Sequence, residues 1–485
     1  MQISTTEQVW AEQVTARSDR GVACAAAPVA AQFGAQILRS GGNAYDAVVT
    51  MALAETVLLP PKCGLGGDVV ALVWQAGKTE PETLIAVGGA SKALSSIAMS
   101  GEWSDVGPNS VGPPAAAAGY AALAERAKFS REILAAPAID LAENGFSWSA
   151  VCNDLSRQAK ELVAKFNSRG SVYFPNGEPI AIGEHVKLPG LARALKEFVV
   201  RGAALLEGDV GIEIVRTVQR HGGQLTLEDF AWAKAEWAPC IKQSAHGLDV
   251  WATSQPTFGV TLLNAFKKTK DVRSAGSQYL AFIEANREAT MSLGDISGTS
   301  IVSAVDSSGT AVVLIHSNSY PRFGSGLIVS EYDLVLANRS GRGFNTEPGH
   351  PNFPIEGRRP STTLHAWAVS AQNDERRYVG GTPGGVNQVP WNLQSLSQVA
   401  AGEAEPGRMV TAPRWDWNPI GDTVRFEEGM SDENAAALAA AAPSSKRISS
   451  LAMRSAQQVI AYGVADNRRI VGAADPRTVG LALGV

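Results

Sequence analysis

Side chains able to do covalent chemistry are scattered in this 485-residue chain. Its six histidines include no HxH or HxxxH pair, so no metal site is expected from spacing. Cys24, Cys63, Cys152 and Cys240 stand far apart with no CxxC or Cys/His pattern; they read as reduced thiols. Gly64-Leu65-Gly66-Gly67-Asp68 precedes a strand pattern, whereas a phosphate-cradling loop follows a strand and opens a helix, so no nucleotide cofactor is expected. What remains is hydroxyl chemistry. Gly298-Thr299-Ser300 are small residues that add nothing to a core, yet they open an alternating apolar run, Ile301–Val305. That run turns through Asp306-Ser307-Ser308-Gly309 into Ala311–Ile315, a β-hairpin signature. Ser317 falls eighteen residues after Thr299. His316 beside it and His365 further on read as structural strand histidines.

The elements around this hairpin follow from periodicity. Residues 27–39 and 44–57 have helical spacing and are separated by Ser40-Gly41-Gly42-Asn43; the second stops before Pro60-Pro61. Val69–Trp74 reads as a buried strand. Helices are expected over 115–128, 131–144, 148–166, 190–202 and 208–221, with Thr226 as the N-cap of a new start and Asp229 three residues on. From about residue 246 the period changes to two, with strands near 248–252, 301–305, 311–316, 364–370 and 377–380. Helices near 388–401 and 432–441 and a strand pair around 458–472 close the chain. Helices segregated from antiparallel strands predict an α+β or layered α/β/β/α architecture.

Composition narrows the function. With 42 basic against 47 acidic residues, a net charge of −5 and no basic stripe, no nucleic-acid partner is expected. The polar start MQISTTEQVWAEQVTARSDR lacks an apolar signal core. The most apolar segment, 45–61, carries Asp46 and Glu55, so it is too polar to cross a bilayer. A soluble cytoplasmic protein is the expectation.

Several separated strings, in order, resemble the γ-glutamyltranspeptidase family of N-terminal nucleophile hydrolases. They are AQILRSGGNAYDAVVTMALAETVLLPPKCGLGGD, APAIDLAENGFSWS, GGQLTLEDFAWAKAEWAPCI and, at the end, AADPRTVGLALG. Three more carry the chemistry: the run from Thr299 to Asp306 with Phe323-Gly324-Ser325-Gly326 after it, Arg359-Pro360-Ser361-Thr362-Thr363, and Gly381-Thr382-Pro383-Gly384-Gly385. The resemblance implies a four-layer αββα sandwich and a precursor that breaks its own Gly298–Thr299 bond. The products would be a large subunit 1–298, containing a helical region, and a small subunit 299–485, held together as a heterodimer whose further assembly stays open. Thr299 would then be both nucleophile and, through its freed α-amine with a reference pKa of about 7.7–8.0, its own base. By the same resemblance Ser317 supplies the hydroxyl that hydrogen-bonds the nucleophile. Gly384 and Gly385 supply oxyanion-hole N–H groups, and Thr362 and Thr363 stand for a substrate-binding hydroxyl pair. No metal or cofactor is implied.

The substrate pocket departs from the family. The stretch 85-IAVGGASKALS-95 lacks the arginine that holds a γ-glutamyl α-carboxylate, and in 337-ANRSGRGF-344 Arg339 and Gly341 or Arg342 replace the residues that hold the α-amine. With Arg322 as a third candidate, the exchange favours an anionic small-molecule substrate, since an arginine fork matches a carboxylate. The segment 287-REATMSLGD-295 also reaches Thr299 with several dozen fewer residues than is usual in the family. Lys62, Cys63 and Asp68 replace small residues and receive no role. The expected activity is that of a self-processing threonine amidohydrolase or acylase acting through an acyl-enzyme, with water or an amine as acceptor. The alternatives are γ-glutamyl hydrolysis or transfer in a rebuilt pocket, a biosynthetic C–C hydrolase removing an oxalyl group, and an uncleaved non-catalytic homologue.

Overall fold

The computed structural model describes residues 5–168, 170–289, 298–371, 376–463 and 469–485. Two seven-stranded sheets lie at its centre. One orders its strands Leu481–Gly484, Gly21–Ala25, Thr299–Asp306, Ala311–Ser317, Asp68–Trp74, Glu82–Ala86 and Glu236–Pro239. The other runs Thr15–Ser18, Ile470–Ala474, Gln458–Gly463, Arg376–Gly381, Ala366–Ala371, Leu248–Ala252 and Ile241–Ala245. All pairs within both sheets are antiparallel.

Alternation along the strands sorts their side chains into layers. Val70, Leu72, Trp74, Ile301, Val305, Val313 and Ile315 of the first sheet meet Trp251, Ala366, Ala368, Val379 and Ile460 of the second in one buried cluster. The other face of the first sheet, with Val69, Ala71, Val302 and Leu314, packs on the helices Ala44–Leu58, Ala116–Ala124, Arg131–Asn144 and Pro189–Arg201. The other face of the second, with Val250, Trp367 and Val459, packs on Gly259–Lys268, Ala275–Glu288 and Gln388–Ala400. The result is an α/β/β/α stack, as expected from the sequence.

Helices Ala116–Ala124, Arg131–Asn144, Ala150–Phe166, Pro189–Arg201 and Asp209–Arg220 fall where periodicity puts them. Among the helices not expected, Gly259–Lys268 and Ala275–Glu288 interrupt the region read as strands. Thr226 is not an N-cap; its N–H and hydroxyl both donate to Asp229, at 2.9 and 3.0 Å, and only a short 3-10 turn, Glu228–Trp232, follows. Asp46 and Glu55, which made the segment 45–61 too polar for a membrane span, are both fully buried. Asp46 closes a capping box with Asn43, and Glu55 accepts from the N–H of Ala27 at 2.9 Å. No described helix is long and apolar enough to cross a membrane.

Candidate active site

The hairpin register places Thr299 directly opposite Ser317, and Ser317 opposite Asp68 on the next strand. Partners across antiparallel strands share a face, so the three side chains form a row at one end of the inter-sheet layer. All three are buried. Ser317 Oγ lies 3.0 Å from Thr299 Oγ1, 3.0 Å from the Gly298 carbonyl oxygen and 2.8 Å from the Ser319 nitrogen. A serine hydroxyl has one proton to donate. The Ser319 N–H can only donate and the Gly298 carbonyl can only accept, so the Ser317 proton goes to Gly298 and Thr299 must donate to Ser317. The resulting chain of hydroxyls runs from Thr299 to the carbonyl of the Gly298–Thr299 bond.

Backbone geometry holds this chain in place. A Cβ on Gly298 would lie 1.7 Å from the Ser319 carbonyl oxygen, so only glycine lets the segment pass. Ser319 itself has φ 67°. Residues 290–297, which contain most of the shortened stretch ahead of Gly298, lie outside the described residues. The turn after Ser317 is bonded to the Pro60–Lys62 segment: Asn318 N–H donates to Lys62 O at 2.7 Å, its side chain to Pro60 O at 3.2 Å, and Phe323 N–H to Pro61 O at 3.1 Å.

From the opposed sheet come the loops that carry the other expected residues. Gly381 faces Ile301 and Ile315 across the layer, and Gln458 stitches the sheets by accepting from Ser303 Oγ at 2.7 Å and donating to Ile301 O at 2.9 Å. Gly384 and Gly385 follow with φ 153° and 58°, and the Trp391 ring would meet a Cβ on Gly384 at 2.3 Å. Thr362 exchanges backbone hydrogen bonds with Pro256 and Phe258, and Thr363 Oγ1 sits 3.2 Å from the Gln388 side-chain amide. His365 Nδ1–H donates to Thr363 O at 2.7 Å, and its Nε2 accepts from Asn392 at 3.0 Å. Burial, with Nε2 used as an acceptor, pulls the His365 pKa down to about 4.

The three candidate arginines have different surroundings. Arg339, buried, donates from Nε to Asp68 Oδ2 at 2.9 Å, so Asp68, to which the sequence assigned no role, pairs with one of them. Arg342 pairs with the exposed carboxylate of Asp105 at 3.0 Å. Arg322, buried on the turn after Ser317, lies 5.9 Å from the centre of the Tyr320 ring, and Arg342 lies 5.3 Å from it. Burial, reinforced by Arg322, holds the nearby Lys62 ammonium below the usual lysine range.

On the helix-facing side, His316 bridges Tyr120 OH at 2.8 Å and Glu55 Oε2 at 3.0 Å. Glu55, Cys63 and His316 bring one ligand atom each within 4.8 Å of one another, a trio that could hold a metal ion. Spacing along the chain gives no hint of it. Both Glu55 oxygens and both His316 nitrogens are already engaged in hydrogen bonds.

Comparison with known proteins adds a second line of support. The profile of the γ-glutamyltranspeptidase family matches residues 30–292 and 278–485. The oxamate amidohydrolase proenzyme of Klebsiella pneumoniae is 26% identical, the match covering 96% of this chain and 99% of that protein. The glutathione hydrolase proenzyme of Escherichia coli is 24% identical over 96% of this chain and 91% of its own length. Among solved structures, the cephalosporin acylase from Bacillus halodurans superposes with a TM-score of 0.84 over 97% of each chain at 24% identity, which establishes likeness of fold.

Proposed function

The chain belongs to the γ-glutamyltranspeptidase family, and we propose that it is a self-processing threonine amidohydrolase or acylase acting on a small carboxylate-bearing amide. As a member of that family it is an N-terminal nucleophile hydrolase or acyltransferase. The observation that carries the finer reading is the hydroxyl chain through Ser317, which joins Thr299 Oγ1 to the carbonyl of the bond that has to break.

Processing runs along that chain. Thr299 Oγ attacks the Gly298 carbonyl carbon, and the hydroxyl proton leaves toward Ser317. The Ser317 hydroxyl and its Gly298 contact receive the developing oxyanion. Collapse breaks the C–N bond and leaves Gly298 esterified to the Thr299 hydroxyl. Water cleaves the ester, releasing the Gly298 carboxylate and restoring the Thr299 hydroxyl beside the α-amine that C–N cleavage has already freed. The same hydroxyl, now with its own amine as base, attacks a substrate amide to form an acyl-enzyme and release the amine. Gly384 and Gly385 backbone N–H groups stabilise that oxyanion, Thr362 and Thr363 line the acyl group, and Arg322, Arg339 and Arg342 favour an anion over an ammonium. Substrates of the oxamate amidohydrolase type fit this charge pattern better than a γ-glutamyl donor.

Denaturing gel electrophoresis tests it. The wild-type chain yields two bands, residues 1–298 and 299–485, and Thr299→Ala yields one. A wild-type chain that turns over amides while intact overturns the proposal.

A further inference from the structure

Gln388 opens the helix Gln388–Ala400, directly after the loop that carries Gly384 and Gly385, and its side chain is completely buried. A buried amide has to find partners for both of its ends, and one orientation satisfies this one. Its nitrogen donates to Thr382 O at 3.1 Å and to Thr363 O at 3.0 Å, and its oxygen accepts from Thr363 Oγ1 at 3.2 Å. A single side chain thus joins the loop of the candidate oxyanion donors to the loop of the candidate hydroxyl pair. Asn392, one helical turn on, reaches the second loop as well, through His365 and its bond to Thr363 O.

We propose that Gln388 is a positioning residue, which fixes the direction of the Gly384 and Gly385 N–H groups and couples them to Thr363. This rests on the acylase reading above, in which those two N–H groups hold the oxyanion. The coupling acts through planar peptides. Holding the Thr382 carbonyl sets the plane of the Thr382–Pro383 bond, and the pyrrolidine ring of Pro383 fixes the next φ. The Thr382 hydroxyl, which receives the Ala456 N–H at 3.3 Å, donates to Pro383 O at 2.8 Å. The Pro383 carbonyl and the Gly384 N–H belong to one planar trans unit and point in opposite directions, so aiming the first aims the second. Gly384 and Gly385, with φ 153° and 58°, have no side chains of their own to steady this turn. Its direction has to be imposed by neighbours.

The groups that the clamp leaves unpaired support the assignment. Both glycines are buried, and among the described residues neither N–H has an acceptor. Buried N–H groups without partners are rare in folded proteins, and two in succession suit an anionic oxygen. Removing the Gln388 amide would leave Thr382 O without a donor among the described residues. A buried, unpaired carbonyl is costly; rotating its peptide relieves that cost and swings the glycine donors away with it.

Gln388→Met, close in volume and unable to donate a hydrogen bond, tests this in the processed protein with oxamate as the amide and ammonia release as the signal. An interaction made only in the transition state lowers kcat and leaves KM alone. The expected loss in kcat is about tenfold or more, with KM unchanged. Self-cleavage, which runs through the Ser317 hydroxyl, keeps its wild-type half-time and shows that the variant folds. Gln388→Glu adds a readout that a merely structural role would not move, and it carries the test should Gln388→Met fail to fold. A carboxylate repels the two carbonyls it faces, whereas the protonated acid donates to one of them and accepts from Thr363. Its kcat relative to wild type therefore rises as pH falls from about 8 to about 6. His365, which shares Thr363 O, has its pKa near 4 and stays neutral throughout. Higher KM with unchanged kcat in Gln388→Met, or a Gln388→Glu ratio that is flat with pH, overturns the proposal. Amide hydrogen exchange over 361–365 and 382–388 separates it from the acylase reading. Faster exchange of both segments in Gln388→Met, with no ammonia released by wild type, condemns the acylase chemistry alone; wild-type turnover with exchange and kcat unchanged in Gln388→Met condemns the role of Gln388.

Discussion

Replacing Ser317 with alanine probes the hydroxyl chain at its centre. In the intact chain this side chain is completely buried and makes three short contacts, to Thr299 Oγ1, Gly298 O and Ser319 N. Alanine removes the proton acceptor for the attacking hydroxyl and the donor to the scissile carbonyl together. Loss of a single oxyanion donor costs about 10²–10³ in rate, or about 3–4 kcal/mol. The half-time of self-cleavage should therefore lengthen by that factor. The Ser319 N–H is left buried without its acceptor, which costs a further 1–3 kcal/mol or so of stability. The assay is a denaturing-gel time course on freshly synthesised chain, with circular dichroism confirming that the variant folds. Ser317→Thr keeps the hydroxyl and adds a methyl group in a conformation that strands favour, so it should cleave within about tenfold of wild type. Folded Ser317→Ala cleaving within threefold of wild type, or Ser317→Thr failing as badly as alanine, refutes the reasoning.

Further predictions rest on separate contacts. Gly298→Ala must push the Ser319 carbonyl aside, because the added Cβ would sit 1.7 Å from it. A shift of about 1 Å at a reacting centre costs about 10²-fold, and the same time course reads it. His365 has a folded pKa near 4 against an ordinary 6.5. A depressed base favours the folded state above its unfolded pKa, so this contribution is complete above pH 6.5 and is lost as pH falls toward 4. Urea midpoints measured across that window should drop in wild type and drop less in His365→Gln. The Arg477 side chain is fully buried and bonded to Glu427 at 2.9 and 2.5 Å and to Asp475 at 3.1 Å. Arg477→Met takes the closest cation from two buried carboxylates, leaving Asp475 with Arg414 at 3.7 Å, and should cost about 3–5 kcal/mol in urea unfolding.

The hairpin was legible because two signals agreed: a short β-branched, apolar run on each arm and an Asp-Ser-Ser-Gly tip between them. Once the tip fixes Val305 opposite Ala311, counting outward puts Thr299 opposite Ser317, so their eighteen-residue spacing by itself encodes a cross-strand pair. The helices Gly259–Lys268 and Ala275–Glu288 were missed for the converse reason. Their apolar residues, such as Leu262, Phe266, Tyr279 and Phe282, are spaced for one helical face, but they lie within a stretch otherwise read as alternating strands. Thr226 misled because the capping-box pattern is met by Asp229 reaching back to Thr226, while the threonine hydroxyl donates rather than accepts.

Asp68 could not be read from the sequence, since a lone acid after a glycine turn has many uses. Its meaning comes from register: the Ala311–Ser317 strand lies between the strands that begin with Thr299 and Asp68, and brings all three residues into one row. The same register argues that the site is assembled by folding rather than by cleavage. Thr299, Ser317 and the Asp68–Arg339 pair are already aligned while the Gly298 carbonyl still occupies the place next to the nucleophile. On the proposed reading, the precursor's own backbone sits where a substrate amide has to sit, and the groups that break the first bond are those that hold the later ones. A variant that weakens the Thr299–Ser317 contact should therefore slow processing and turnover together.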